Sequence, residues 1–389
     1  MPPLPDTLHH LKRAAQRLMG KPKRLFTKYA ATEYYDLFVA KRSQTHVGAL
    51  PLGNKVAIFL IFPKAGVQPS HLLSLRTIAQ AGFAPLVVSN LALTAADRAL
   101  ILPHCWHLIV RPNFGYDFGG YRDGFLSLKA QLAGLTHVAL LNDSCWFPLQ
   151  PTQNWLMQAE ELGADFAAAS YHRAMAPVKS ADFRQVQWQF DPTLPGFHYG
   201  SFAVLLGGKL LHAPAFQRFW QRLRLTNDKN QTVKYGEAGL SRFVVTQGYR
   251  HACTCDLLSI PAILDHLGDD RLRQVLRNLI LPFDPDLRAL QRDLQTPDRA
   301  NWRSDVQALI LTGAVQTGAA YALADLMTQE LALPFLKKAP LLIEPAASAA
   351  LIDIASRLTG DIGEMIRAEI RETLRHRKGI TPLHDTDAD

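Results

Sequence analysis

The sequence predicts an α/β fold: a Rossmann-type, mostly parallel sheet flanked by helices, followed by a helical C-terminal region. Three observations carry this. From Lys55 onward, short apolar runs alternate with helical patterns in the order β-α-β-α-β-α-β. The best formed of these runs, residues 56–62, is continuously apolar, as a strand buried on both faces requires. After about Pro261 strand signals fade, and helical patterns fill 269–280, 303–313, 319–332 and 346–376. The implied organisation is a basic N-terminal helical arm (1–50), an α/β domain (51–260) and a helical region (261–389).

Each element has a local reason. Val56–Phe62 is a strand stopped by Pro63. Ser70 can cap a helix carrying Leu72, Leu75, Ile78 and Ala79, and Gly82 can end it. Pro85–Ser89 is the next strand, running out at Ser89-Asn90. Thr94-Ala-Ala-Asp97 is a capping-box variant that opens a short helix ahead of a strand at Trp106–Val110. The turn Asn113-Phe-Gly115-Tyr-Asp117-Phe-Gly119-Gly120 leads into another helix. The strand after it, residues 138–141, ends in Asn142-Asp143-Ser144. Residues 154–162 are helical and 165–169 apolar. The loop-rich stretch 171–199 holds Tyr171, Phe183, Trp188, Phe190, Phe197 and Tyr199, which suit an acceptor wall or plain core packing equally. Residues 202–206 are strand-like, 214–223 helical, and Gly236-Glu237 begins a helix closed at Gly248.

Composition bounds the function. The 389 residues are 48% hydrophobic and 20% charged, an ordinary globular balance. The longest strongly apolar run, 56–62, is far too short to span a bilayer, and the N-terminus lacks the apolar core of a signal peptide, so a cytoplasmic location is expected. Four cysteines make no disulfide framework, and Cys253 and Cys255 have no matching pair for a zinc site; all four are expected as reduced thiols. The net charge of +8 is uneven. Residues 1–28 carry seven basic side chains (Lys12, Arg13, Arg17, Lys21, Lys23, Arg24, Lys28) against Asp6, a net of +6. Nucleic-acid binding is not expected, because that calls for a basic face on the folded domain. The arm suits either an anionic membrane surface, with Leu8, Leu11, Ala15 and Leu18 at helical spacing, or a solvated helix.

The candidate site follows from topology. Ligands of open parallel sheets lie beyond the carboxyl ends of the strands, so Asn113, Asp117, Asn142 and Asp143 should converge on one crevice. The glycines fit a close approach of backbone to a phosphate at a helix N-terminus, or simply a demanding turn. Neither G-x-x-x-x-G-K-[ST] nor G-x-G-x-x-G occurs there.

The segments VRPNFGYDFGGYRDGF, LLNDSCWFP and YGEAGLSRFVVTQGYR together resemble the rhamnan synthesis protein F family of glycosyltransferase-like proteins, over roughly residues 50–260. A later PFLKKAPLL is similar to a Pro-Phe-x-Lys segment of some members. The order of motifs is also similar to inverting GT-A glycosyltransferases. This resemblance implies a GT-A-like fold, a nucleotide-sugar donor (the sugar a rhamnose type) and a glycan or lipid-linked glycan acceptor in surface polysaccharide synthesis. It implies a peripheral position at the inner membrane face. It also implies Asp143 at the position of a Mg²⁺ or Mn²⁺ ligand and Glu237 as the acceptor base, with Ser89, Asn90, Asn113, Gly115, Asp117 and Asn142 around the donor. The sequence departs from that pattern at Ser89-Asn90, where an acidic nucleoside contact is usual. It departs again at Asn142-Asp143-Ser144, which holds one carboxylate where many relatives hold two. A catalytically silent glycan-binding or scaffold protein with the same fold is the rival reading.

Overall fold

The computed structural model describes residues 30–296 and 300–375, so the basic segment 1–28 lies outside it. The strands among the described residues are β1 (Gln44–Val47), β2 (Lys55–Ile61), β3 (Ala84–Ser89), β4 (His107–Val110), β5 (His137–Asn142), β6 (Cys145–Trp146), β7 (Phe166–Ala168), β8 (Tyr171–His172), β9 (His198–Tyr199), β10 (Ala203–Gly207), β11 (His251–Cys253) and β12 (Leu336–Lys337). One sheet has the order β1-β4-β3-β2-β5-β10-β7-β11. Only β1 and β10 run against the direction of the other six, so the sheet is mostly parallel, as expected.

The chain steps outward from β2 to β3 to β4, then returns to place β5 on the other side of β2. With right-handed crossovers this reversal puts α1 (Pro69–Gln80) and α2 (Ala95–Ile101) on one face and α3 (Tyr116–Ser127) on the other. Two later helices, α4 (Pro214–Arg222) and α5 (Ala238–Thr246), follow β10, and α4 packs against α3. The reversal is a topological switch point, and the place beyond the ends of β2 and β5 is the usual ligand position in such sheets. Val56, Ile58, Leu60 and Ile61 of β2 are almost wholly buried, which explains the unbroken apolar run. Two glycines set how closely α3 lies on β2. A Cβ at Gly120 would stand 2.3 Å from Leu60 Cδ1, and one at Gly124 2.8 Å from Ile58 Cγ2. Gly120 and Gly124 therefore serve the packing of α3 on β2, while a Cβ at Gly119 would meet the Phe114 carbonyl oxygen at 2.0 Å.

Residues before 50 extend this sheet. A helical run over Ala31–Arg42 is followed by β1, which pairs antiparallel with β4. Three of its four residues are exposed, so it carries no apolar signature for a sequence reading to detect. Tyr35 is buried, and its hydroxyl joins Arg111 and Asp123 beneath the β4–α3 loop.

The helical C-terminal region is stitched back to the sheet. β12 pairs with β6, and Ile354, Ile366 and Ile370 share a core with Trp146 and Leu149. The expected helix 346–376 is two helices, Pro345–Ser356 and Gly360–Arg375, because Gly360 takes φ +65°. The expected 319–332 helix likewise breaks at the non-helical Leu323. Helix α1 is capped by Gln68 and His71 rather than by Ser70. The Ser70 amide and hydroxyl instead bond the buried Glu369, each at 2.8 Å, and Trp146 Nε1 donates to the same carboxylate at 2.8 Å. All four cysteines are free.

Candidate active site

Asp143 stands immediately after β5 at the reversal point. Its amide donates to the Leu60 carbonyl at 3.0 Å, and its Oδ2 accepts from the Phe62 amide at 2.6 Å. The same oxygen lies 3.2 Å from His71 Nε2. His71 Nδ1 accepts the Gln68 amide at 2.9 Å, so the neutral ring carries its proton on Nε2 and donates it to Asp143. Burial pushes the Asp143 carboxyl up, but the His71 and Phe62 donors and the nearby Lys338 charge outweigh it and hold the group below its ordinary range. Asp143 is thus a fixed negative charge at the end of a central strand.

Asp117 lies in the first turn of α3, and its Oδ2 accepts from Asn142 Nδ2 at 3.1 Å. Asn142 uses its Oδ1 on Ser144, so both ends of this side chain are committed to fixing the crevice wall. Burial first, then the charges of Glu237 and Asp143, push the Asp117 carboxyl up to about 6, while Lys337 and Lys229 pull it partly back. Three carboxylates from distant parts of the chain therefore feel one another here.

Glu237 arrives by a different route from the one its sequence suggests. It is not at a helix start. Lys229–Thr232, the wide π-turn Val233–Glu237 and α5 form one helical run, and Glu237 itself has helical φ −60° and ψ −58°. The favourable field of a helix N-terminus therefore does not act on it. A π-bulge inside an α-helix shifts the register of side chains and is frequent at functional sites. Here it is seated on α3: a Cβ at Gly236 would meet the Phe118 ring at 2.3 Å. One Glu237 oxygen accepts from the Ser201 hydroxyl, and the other is 3.7 Å from His198 Nε2. His198 Nδ1 bonds the Gly196 carbonyl at 2.8 Å and so carries a proton, which leaves Nε2 to face the carboxylate.

The remaining candidates sit around this trio. Gly115 caps α3 at φ +81°, and its amide donates to Asn227 Oδ1 at 2.9 Å, while Asn113 is exposed on the same loop. Ser89 is fully buried, its hydroxyl donating to the Leu91 carbonyl at 2.7 Å. Asn90 is also buried. It accepts from Arg111 Nη1 at 2.6 Å and donates to the Tyr116 carbonyl at 3.3 Å. The structure thus brings Asp117, Asn142, Asp143 and Glu237 into one cluster, with Asn113 and Gly115 on the adjoining loop, and ties Ser89 and Asn90 beneath it through Arg111.

Several participants are not evident from sequence. His71 and Ser201 orient the carboxylates, yet each is one polar residue in an ordinary segment. Lys337 and Lys338 arrive from nearly two hundred residues away at the end of β12, where Lys337 pairs with Cys145 and the Lys338 amide bonds the Ser144 carbonyl at 2.9 Å. Lys337 Nζ sits 3.9 Å from the Phe202 ring centre, and Lys338 Nζ donates to Ser70 Oγ at 3.2 Å. The PFLKKAPLL segment was the available signal for them. The aromatic stretch 171–199 packs on itself, with Tyr171 and Phe190 at 4.9 Å and Phe197 and Tyr199 at 5.1 Å, which is core packing. Among the described residues no three His, Cys, Asp or Glu side chains are grouped so as to hold a metal ion by themselves. No helix of the described residues is long and apolar enough to cross a membrane.

Comparison with known proteins agrees with the motifs. Residues 86–266 match the family described as rhamnan synthesis protein F. Uncharacterized protein y4gN of Sinorhizobium fredii (strain NBRC 101917 / NGR234) is 27% identical over 215 residues, 55% of this chain and 52% of that one. The chain thus spans about half the length of this curated relative. Among solved structures, core-mannan synthase A (CmsA/Ktr4) of Aspergillus fumigatus in its Mn/GDP form is similar at 9% identity and TM-score 0.26, over 49% of this chain and 68% of that one. The mannosyltransferase Ktr4p of S. cerevisiae in complex with GDP is similar at 10% identity and TM-score 0.26, over 50% of this chain and 66% of that one.

Proposed function

We propose that this chain, with its rhamnan synthesis protein F region, is a GT-A-type glycosyltransferase. In this reading it moves a sugar, of rhamnose type, from a nucleotide donor to a growing surface glycan with inversion. The observation that carries the reading is the meeting of Asp117, Asp143 and Glu237 beyond the ends of β2 and β5, with Lys337 beside them. A nucleotide diphosphate brings negative charge to that place, and the leaving phosphates gain more as the glycosidic bond breaks.

Asp143 suits a divalent ion of the Mg²⁺ or Mn²⁺ type, which is commonly bound by one or two carboxylates plus substrate phosphates rather than by a full protein cage. The fit rests on the chemistry of the donor set: a carboxylate held ionised by His71 and the Phe62 amide, facing two further carboxylates whose charges a cation would offset. Such an ion would supply charge neutralisation at the leaving phosphates. Lys337 adds fixed positive charge on the same side, and Asn113 and the Gly115 turn border the donor. Glu237 takes the proton of the acceptor hydroxyl, and the Ser201 hydroxyl holds its carboxylate in place for that step. The basic segment 1–28 would hold the enzyme at an anionic cytoplasmic membrane face, near a lipid-linked acceptor.

A silent scaffold is the second reading, favoured by one observation: Asp143 Oδ2 already has two donors within the fold. Calorimetric titration with a panel of sugar nucleotides, with and without Mn²⁺, separates the two. Metal-aided binding followed by turnover supports the transferase, and absence of binding to every donor supports the scaffold.

A further inference from the structure

An open groove of about 460 Å³ lies along α4, on the α3 side of the sheet and away from α1. Its lining combines Arg218, Arg222 and Arg224 with Phe219, Tyr235 and Phe243, and no carboxylate. The three arginines are exposed, and none is paired with a described carboxylate. Arg224 stands over the Tyr235 ring at 5.9 Å. Guanidinium groups without a described carboxylate partner, one of them over an aromatic ring, suit an anionic occupant with apolar parts.

A second feature adjoins the groove. The Leu225 amide bonds Thr32 Oγ1 at 2.9 Å. Arg122 ties Asp36 to the Trp220 and Gln221 carbonyls at 3.1 and 3.2 Å. The helical run after Ala30 therefore lies against the C-terminal end of α4. On it Leu37 and Phe38 are 56% and 61% exposed, and exposed Lys41 and Arg42 follow. In the sequence this helical run is preceded by residues 1–28, of net charge +6.

We propose that this face docks on an anionic phospholipid bilayer, with Arg218, Arg222 and Arg224 at the level of the lipid phosphates and Leu37 and Phe38 at the acyl boundary. Arginines beside protruding apolar side chains suit an interfacial membrane contact; the acids on the same helical run are Glu33 and Asp36, and Asp36 is already paired with Arg122. The charge of this face is complementary to such a surface and repels the other basic segment of this chain as an occupant. The inference concerns the folded domain, goes beyond the N-terminal segment and needs no sugar transfer. Tyr235 stands two residues before Glu237, so docking would hold the crevice close to the bilayer.

The test is cosedimentation of the full-length protein with phosphatidylcholine vesicles containing or lacking phosphatidylglycerol. The expected result is binding only to the anionic vesicles, weakening as salt rises. Each basic residue near such a surface contributes about fivefold, so Arg218→Gln/Arg222→Gln/Arg224→Gln, with residues 1–28 intact, should weaken binding about a hundredfold. Leu37→Ser/Phe38→Ser should remove the part that survives high salt. Arg76→Glu/Arg371→Glu, on the α1 side, should change nothing. If the triple variant unfolds, the exposed Arg218→Gln alone carries the test, with a loss of about fivefold. Wild-type protein that ignores anionic vesicles, triple-variant binding equal to wild type, or arginine-dependent capture of polyuridylate without vesicle binding each overturns the proposal.

Discussion

Replacing Asp117 by Asn should stabilise the protein, and only above a certain pH. The folded carboxyl is pushed from an ordinary 3.8 up to about 6, chiefly by burial and then by Glu237 and Asp143. A raised carboxyl value means that the folded chain holds this proton more tightly than the unfolded chain does. Folding is therefore unpenalised below the ordinary value, loses stability as pH climbs from about 4 to about 6, and stays at the lower level beyond. At about 1.4 kcal/mol per unit, the loss in the wild type is roughly 3 kcal/mol at neutral pH. The substituted amide cannot ionise, yet its carbonyl oxygen can still accept the Asn142 Nδ2 bond now made to Asp117 at 3.1 Å. Urea unfolding of both proteins, without divalent ions, measures the difference directly. The two curves should coincide near pH 4, separate through pH 5 to 6 and run parallel above, with the variant the more stable by roughly 3 kcal/mol. A variant that is less stable at pH 8, or a gap that ignores pH, would show that Asp117 is not held at cost among like charges.

Two further substitutions test the roles in the proposed reaction. Glu237→Gln should lose roughly 10²–10⁴ in turnover with donor affinity nearly unchanged. Loss of stability alone, with turnover intact, would reduce Glu237 to a partner of Ser201 and His198. Asp143→Asn keeps the shape but removes the charge, so metal-aided donor binding in calorimetry should disappear while donor binding without metal stays as in the wild type. Full activity in that variant, or wild-type activity in EDTA, refutes the metal role.

The order of elements from Lys55 to Asn142 is legible in the sequence because burial on both faces leaves continuous apolar runs, and capping residues punctuate the helices between them. The same periodicities place Asp117, Asn142 and Asp143 at strand and helix ends, which is enough to predict that they meet. Sequence alone cannot register an element whose stability comes from partners elsewhere in the chain. β1 is a largely exposed edge paired with β4, and Tyr35 is fixed by Arg111, Asp123 and the Phe114 ring, all distant in sequence. Glu237 reads as the start of a helix because Gly236 precedes it, but the helical run passes through both, and Gly236 is there because Phe118 fills the space a side chain would need. The donors and cations that set the charge of the crevice, His71 on Asp143 and Lys337 beside Asp117, are brought there by antiparallel and crossover contacts between distant segments. Local pattern determines which residues lie at the ends of strands, because periodicity is a property of neighbours in the chain. Only tertiary packing decides which charges share a crevice, because their mutual energies depend on distance and burial in space.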